Sequence, residues 1–186
     1  MKIKMFLGTL AALFVVTCFT MSARAEFVSA DIGVNGLTCS MCSKGTEATL
    51  KQLPFIDSIS IDLNDLVAHV TFKKDAKVSI DEMRKMIEDA GFSVRSIDAV
   101  FNFDHVAVGK DYHFAYGGDT YHFIGVDDKT LSGPMKIRFV DKQYISKKEY
   151  TALSKKTTFA CYKKGETAPC CDADHHVMGT LYHVTL

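Results

Sequence analysis

Two cysteines stand three positions apart near the start of the chain, in the run Gly36-Leu37-Thr38-Cys39-Ser40-Met41-Cys42. Two thiolates at this spacing can converge on one soft metal ion, or they can exchange with a disulfide. A helix-like run, residues 43–53, follows the pair. The first turn of a helix favours a thiolate over a thiol, because its unpaired N–H groups and its dipole stabilise negative charge. The sequence therefore predicts reactive thiols at Cys39 and Cys42.

Three chemistries are open to such a pair. Cu(I) and Hg(II) accept two thiolates in near-linear coordination, whereas Zn(II) prefers four ligands. The alternatives are a redox pair and a plain disulfide between Cys39 and Cys42, which would add little stability because its loop is short. Thioredoxin-like proteins commonly carry Trp-Cys-Gly-x-Cys, but this chain has no Trp, and Ser40 and Met41 separate its cysteines. These differences favour a soft-metal site.

Strand and helix patterns surround the pair in the order strand-helix-strand-strand-helix-strand. Val28, Ala30, Ile32 and Val34 alternate with polar residues, which predicts a strand with one buried face. The later elements are a hairpin of residues 59–63 and 67–72, a helix that begins at a capping box, Ser79 to Glu82, and ends at Gly91, and a strand of residues 92–97. The order predicts an α+β, ferredoxin-like βαββαβ domain over residues 27–98.

The cysteine loop resembles the loop of the heavy-metal-associated (HMA) domain family, which includes copper chaperones, copper-pumping ATPases and periplasmic mercury-binding proteins. The resemblance covers residues 28–97 and includes Leu50, Pro54 and Asp89-Ala90-Gly91-Phe92, while Thr46 and Phe55 depart from the family pattern. It implies that Cys39 and Cys42 bind Cu(I) or another soft ion such as Hg(II). It also implies that Phe92 packs near the cysteines and shields the ion.

The first 25 residues have the pattern of a secretory signal peptide. Lys2 and Lys4 precede an almost wholly apolar run, residues 5–21, and Ala23-Arg24-Ala25 supplies a small-x-small cleavage site. We therefore expect an exported, periplasmic protein that begins at Glu26, with a lipoprotein cut before Cys18 as the alternative. No later segment is apolar enough to span a bilayer.

The composition of the mature chain limits its partners. Removal of Lys2, Lys4 and Arg24 leaves 19 basic against 22 acidic residues, a balance of −3, and no basic run. These features argue against a nucleic-acid partner. Five cysteines remain, an odd number, so at least one of them cannot pair within the chain.

Residues 99–186 predict a small, mainly-β domain of no recognised family. Two aromatic runs, residues 112–116 and 121–126, flank Gly117-Gly118 and predict a hairpin. Further strands are expected at residues 135–140, 157–162 and 180–185, and a short helix at residues 146–154.

This second part carries its own candidate ligands. A Gly- and Pro-containing loop holds a set of Cys and His residues: Cys161, Cys170, Cys171, His175 and His176. They could bind a second metal, or Cys161 could form a disulfide with Cys170 or Cys171. A further hypothesis is a site built from histidines on predicted strands, with His113 and His122 on the hairpin and His105 and His183 as additional candidates.

These patterns predict an exported soft-metal-binding protein that takes an ion at Cys39 and Cys42 and passes it to a partner. The resemblance implies a metal-transporting ATPase, an efflux component or a metalloenzyme as that partner. The chain lacks a catalytic triad, a P-loop and a dinucleotide fingerprint, so we do not expect an enzyme. The alternatives are an exported thiol–disulfide oxidoreductase or metal reductase that uses the same cysteines, and a sensor whose first domain reports metal to the second.

Overall fold

Eight strands and four helices form in residues 25–164 and 179–186, the part of the chain that this computed structural model describes. In chain order they are β1 (Glu26–Asn35), α1 (Ser40–Leu50), β2 (Ile56–Asp62), β3 (Val67–Phe72), α2 (Ile80–Asp89), β4 (Ser93–Val108), β5 (His113–Tyr116), β6 (Asp119–Phe123), β7 (Lys129–Phe139), α3 (Lys147–Leu153), α4 (Ala160–Lys164) and β8 (Leu181–Thr185). Except for Ala25, the predicted signal peptide lies outside the described residues. Within those residues, no helix is long and apolar enough to cross a membrane.

The first six elements form the predicted ferredoxin-like unit. Their strands pair antiparallel in the order β2-β3-β1-β4. The Ser79 hydroxyl accepts a hydrogen bond from the Glu82 N–H at 3.2 Å and caps α2 as expected. Gly91, at φ +87°, follows the end of that helix in a backbone conformation that favours glycine.

The start of β1 differs from the expected alternation. Val28, which we placed on the buried face, is 38% exposed, whereas Phe27 is only 3% exposed. A register shift between Phe27 and Ser29 explains the difference, because Val28 is an extra residue without a partner position on β4. Ala30, Ile32 and Val34 face the core as predicted.

Strand β4 continues through the predicted domain boundary at residues 98 and 99. It pairs with β1 over Ser93 to Asn102 and with β7 over Asp98 to Val108. One eight-stranded sheet results, in the order β2-β3-β1-β4-β7-β8-β6-β5. The mainly-β part that we expected after residue 98 therefore extends the sheet of the ferredoxin-like unit, and its status as a separate domain is not confirmed.

An aromatic cluster joins the two halves of this sheet. The ring of Phe101 on β4 lies edge-on to Phe27 on β1 and to Tyr116 on β5, with ring centroids 4.8 Å apart in both pairs. Strand β5 is at the far edge of the sheet, so the sheet must curl to bring Tyr116 back to β4. Burial of these rings supplies a large apolar contribution and favourable edge-to-face contacts.

The later elements agree with the sequence in part. The hairpin around Gly117-Gly118 forms as β5 and β6, and the expected helix forms as α3 with Ser146 as its N-cap. The strand expected at residues 157–162 is wrong, because Ala160–Lys164 is helical. Adjacent Cys161 and Tyr162 are both buried, which a strand with only one buried face would not allow.

Around β6 and β8 the curled sheet is covered on both faces. Phe123 and Phe139 belong to the main core, whereas their chain neighbours Ile124 and Val140 belong to a second cluster. Side chains alternate across a strand, so the second cluster lies on the opposite face. Leu153 of α3 and Tyr162 of α4 cover that face.

We expect Phe101→Ala to lower the free energy of unfolding of the whole chain by about 3–5 kcal/mol, because it removes a buried ring that joins β1, β4 and β5. Denaturant unfolding followed by circular dichroism and by tyrosine fluorescence should show one transition that shifts as a unit. Val28→Ala, at the exposed bulge, is the control and should change stability by less than about 1 kcal/mol. Two transitions, of which only one shifts, would contradict this coupling of the halves.

Candidate metal centre

The cysteine loop begins where β1 ends. Gly36 adopts φ +93°, a backbone conformation that favours glycine, and a Cβ there would make a tight 3.2 Å contact with the Phe92 ring. Leu37 is buried and anchors the loop in the main core. Phe92 thus lies against the cysteine loop, as the family resemblance implies, and its shielding of an ion stays a prediction.

Helix α1 begins three residues earlier than we expected, at Ser40. Cys39 is its N-cap, in extended backbone conformation, and its sulfur accepts a hydrogen bond from the Cys42 N–H at 3.2 Å. Sequence rules favour Ser, Thr, Asp or Asn at this position, so the pattern did not identify a cysteine cap. The loop therefore places both thiols at the positive end of the helix.

The two thiols converge but differ in exposure. Their sulfur atoms lie 2.6 Å apart. Cys39 is exposed, whereas Cys42 is half-buried and packs against the main core. On the buried side of α1, the hydroxyl of Thr46 donates to the Cys42 carbonyl oxygen at 3.1 Å, which satisfies the polar side chain that departs from the family pattern.

The hydrogen bond between the sulfurs separates the acidities of the two thiols. It lowers the pKa of Cys39, and the backbone N–H of Cys42 lowers that pKa further. The same hydrogen bond is the largest cause of a raised pKa at Cys42, to which desolvation and the charge of Cys39 add. Cys39 therefore loses its proton first, and the first thiolate forms on the exposed cysteine.

Further ligands do not join this pair within residues 25–164 and 179–186. Met41 lies between the cysteines in sequence, and its side chain is 81% exposed. No group of three or more His, Cys, Asp or Glu residues in the described part of the chain is arranged to hold a metal ion. The structure thus offers a two-sulfur site at Cys39 and Cys42, and metal ligation by these residues stays a prediction.

The structure describes only one member of the predicted C-terminal ligand loop, Cys161. Cys161 is buried and disulfide-bonded, and its partner lies outside the described residues, since Cys39 and Cys42 are free. The disulfide removes Cys161 from the candidate ligands. The other members of that loop, Cys170, Cys171, His175 and His176, lie outside the described residues, and their roles stay predictions.

Three of the four candidate strand histidines come together. His113 and His122 are directly paired in the β5–β6 hairpin, as the sequence predicts, and their stacked rings have centroids 4.5 Å apart. His183 on β8 is paired with His122 across a parallel strand contact. His105 does not join them, because it lies exposed at an irregularity of β4, beside Asp104.

Sequence reasoning missed the carboxylates behind two of these histidines. Asp111 Oδ1 lies 3.2 Å from His122 Nε2, and Asp141 Oδ1 lies 2.6 Å from His183 Nδ1. The sequence held one signal, since each of these histidines has apolar neighbours in the chain. Such a pattern indicates a strand that is buried on both faces, where a polar side chain needs a buried hydrogen-bond partner. The sequence does not reveal which acidic residue supplies that partner.

These features define a ferredoxin-like module with a pair of free thiols, one exposed and one half-buried, at the start of its first helix. The sequence profile described as Heavy-metal-associated domain matches residues 32–93. The copper chaperone CopZ of Staphylococcus haemolyticus is 31% identical over 64 residues, which cover 34% of this chain and 93% of the chaperone. The chain therefore belongs to the heavy-metal-associated domain family through its N-terminal half.

Other similar proteins match about a third of this chain. A copper-transporting ATPase of Helicobacter pylori is 33% identical over 60 residues, which cover 32% of this chain and 8% of the ATPase. The solved structure of a CopZ metallochaperone is 27% identical, with a TM-score of 0.33, over 38% of this chain and 98% of that chain. The chain thus spans less than a tenth of the length of the ATPase that it matches.

We expect Cys42→Ala to raise the pKa of Cys39 toward that of an ordinary thiol, because it removes the largest cause of the lowering. The Cys39 thiolate would then appear at higher pH. Alkylation of the reduced protein by iodoacetamide, quantified at Cys39 by mass spectrometry across pH, measures the shift. Met41→Leu is the matched control and should leave the midpoint in place. An equal midpoint in Cys42→Ala would show that the sulfur–sulfur contact does not set this acidity.

Proposed function

We propose that this protein binds one Cu(I) ion through Cys39 and Cys42 and passes it to a partner protein. The observation that carries the proposal is the convergence of two free sulfurs at the start of α1, 2.6 Å apart, on a member of the heavy-metal-associated family. The similarity to a copper chaperone and to a copper-transporting ATPase favours copper as the cargo. The proposed role is binding and transfer, without catalysis.

The two cysteines have different tasks in this proposal. Cys39 forms its thiolate first and faces solvent, so it makes the first bond to an arriving ion. Cys42 then loses its proton and completes near-linear coordination, a geometry that suits Cu(I) better than a metal that requires four ligands. The half-buried Cys42 holds the ion while an incoming thiolate of the partner displaces the exposed Cys39.

Hg(II) fits the same two-thiolate geometry and is the alternative cargo. A partner with its own accessible thiolates would accept either ion by stepwise ligand exchange. A metal-transporting ATPase, an efflux component or a metalloenzyme that awaits its metal could supply such thiolates. Export to the periplasm through residues 1–25 is part of the proposal, and there the dithiol must carry metal or be kept reduced.

One observation favours a second candidate function, thiol–disulfide exchange. A lowered pKa at exposed Cys39 and a raised pKa at half-buried Cys42 also suit an attacking and a resolving thiol. In that reaction Cys39 would attack a substrate disulfide and release one substrate thiolate. Cys42 would then attack Cys39 in the mixed disulfide and release the second substrate thiolate, which leaves a Cys39–Cys42 disulfide. The two thiols would be oxidised as the substrate is reduced by two electrons and two protons.

We expect the reduced full-length protein to bind one Cu(I) at this site in an anaerobic titration, with stoichiometry read by native mass spectrometry. Cys39→Ser and Cys42→Ser should each abolish tight binding while circular dichroism stays unchanged, because the loop tip is exposed. Met41→Leu is the matched control and should bind as the unmodified protein does. Insulin reduction without stoichiometric Cu(I) binding would overturn the metal proposal in favour of redox exchange.

Acidification should weaken Cu(I) binding, because protons compete with the ion for both sulfurs. Below the pKa values of both thiols, binding releases two protons, so the apparent affinity should fall by up to about 100-fold per pH unit. Competition with a chromophoric Cu(I) chelator at several pH values measures the slope. An affinity that does not change with pH would contradict ligation by thiolates.

A further inference from the structure

Three histidines form a row across neighbouring strands on the face opposite the aromatic core. His113, His122 and His183 occupy directly paired positions on β5, β6 and β8. Phe159 covers the first two, with ring centroids 5.0 Å from each, and Tyr162 covers His183 at 4.9 Å. The row is therefore enclosed by the segment that leads into and includes α4.

Two members of the row are oriented by carboxylates. His122 Nε2 faces Asp111, and Asp111 in turn accepts hydrogen bonds from the backbone N–H and the hydroxyl of Thr158, at 3.2 and 3.1 Å. His183 Nδ1 faces Asp141, which also accepts the backbone N–H of His183 at 3.1 Å. A carboxylate is an acceptor, so it selects the tautomer with the proton on the facing nitrogen and leaves a lone pair on the other one.

The nitrogens that carry those lone pairs are His122 Nδ1 and His183 Nε2. Both are buried, and neither has a hydrogen-bond partner among the described residues. A buried polar atom without a partner costs free energy, and a carboxylate behind the opposite ring nitrogen is the usual arrangement of a metal-binding histidine.

The spacing of these two rings fits a shared ion. The ring centroids of His122 and His183 lie 5.3 Å apart. Metal–nitrogen bonds of about 2.0–2.1 Å at a tetrahedral angle place two imidazole centroids about 5.2 Å apart, whereas linear coordination would place them about 6.4 Å apart. The spacing therefore matches a four-coordinate ion better than a two-coordinate one.

An opening reaches this part of the molecule. A cavity of about 300 Å³ is lined by His183 together with Asp81, Asp141, Tyr150 and Tyr162, among others. It lies where the chain leaves β7 and where β8 begins. A space of this size can admit a hydrated ion on the His183 side of the row.

We propose that His122 and His183 form a second metal site, in which Nδ1 of the former and Nε2 of the latter bind a four-coordinate late transition ion such as Zn(II). Asp111 and Asp141 position the two rings. The site is separate from the dithiol and takes an ion of different coordination preference, so it does not depend on the proposed copper function.

The test uses the full-length chain with Cys39→Ser and Cys42→Ser, which removes both thiols of the first site. Zn(II) affinity is measured by competition with a chromophoric chelator, and Co(II) serves as the spectroscopic probe of tetrahedral coordination. Adding His183→Gln or His122→Phe should weaken binding at least tenfold. Asp141→Asn retains the shape of the side chain and should weaken it by about 10- to 100-fold, as loss of a carboxylate behind a ligand does.

His69→Gln is the matched control, because His69 also contacts a carboxylate, Asp31, but is exposed. It should leave Zn(II) affinity unchanged. Equal affinity in His183→Gln and in the control would overturn the proposal and place any bound ion elsewhere in the chain.

A measurement without a histidine substitution covers the case in which His122→Phe does not fold. In protein with ¹⁵N-labelled histidine, Zn(II) should shift the resonances of His122 Nδ1 and His183 Nε2 and leave those of His69 in place. Absence of both shifts at saturating Zn(II) would overturn the proposal whatever the variants show.

Discussion

The pairing of β4 along both of its edges is the constraint on which the rest of the structure depends. This 16-residue strand completes the ferredoxin-like unit through β1 and begins the C-terminal extension through β7. Each edge fixes a register, so Phe101 must point into the same core as Phe27. Because the curled sheet then brings β5 back against these rings, the dithiol loop and the histidine row belong to one body.

At the dithiol, one sulfur serves two purposes that compete. Cys39 caps α1 because its sulfur accepts a hydrogen bond from the Cys42 N–H. A metal ion or a proton would compete for the lone pairs of the same sulfur. A thiolate is the stronger acceptor, so the cap favours the form that binds metal. Cys42 lies on the core side of the loop and does not carry this cap, which adds to the difference in acidity that the sulfur–sulfur hydrogen bond sets between the two cysteines.

Local patterns predicted much of the first unit, because its elements follow from alternation, a capping box and glycine positions. These patterns failed where one residue departs from the local rule. The bulge at Val28 exposes a side chain that strict alternation would bury. Cys39 caps a helix although cysteine is not a favoured cap residue. The proximity of His113 and His122 followed from a hairpin, which is local. His183 reaches them through a parallel contact between β6 and β8, and Asp141 reaches His183 from the loop after β7, so neither could be read from sequence spacing.

The dithiol and the two histidines held by carboxylates differ in the type and spacing of their donor atoms, which decide metal preference. The former offers two soft sulfur donors, one of them exposed, and suits the two-coordinate ion that we propose it passes to a partner. The latter offers two imidazole nitrogens, enclosed by Phe159 and Tyr162, with a ring spacing that fits a tetrahedral angle. An ion that prefers linear thiolate ligation gains little from the histidines, and an ion that needs four ligands is poorly satisfied by two sulfurs. One continuous sheet can therefore hold both sites with little competition between them for the same metal.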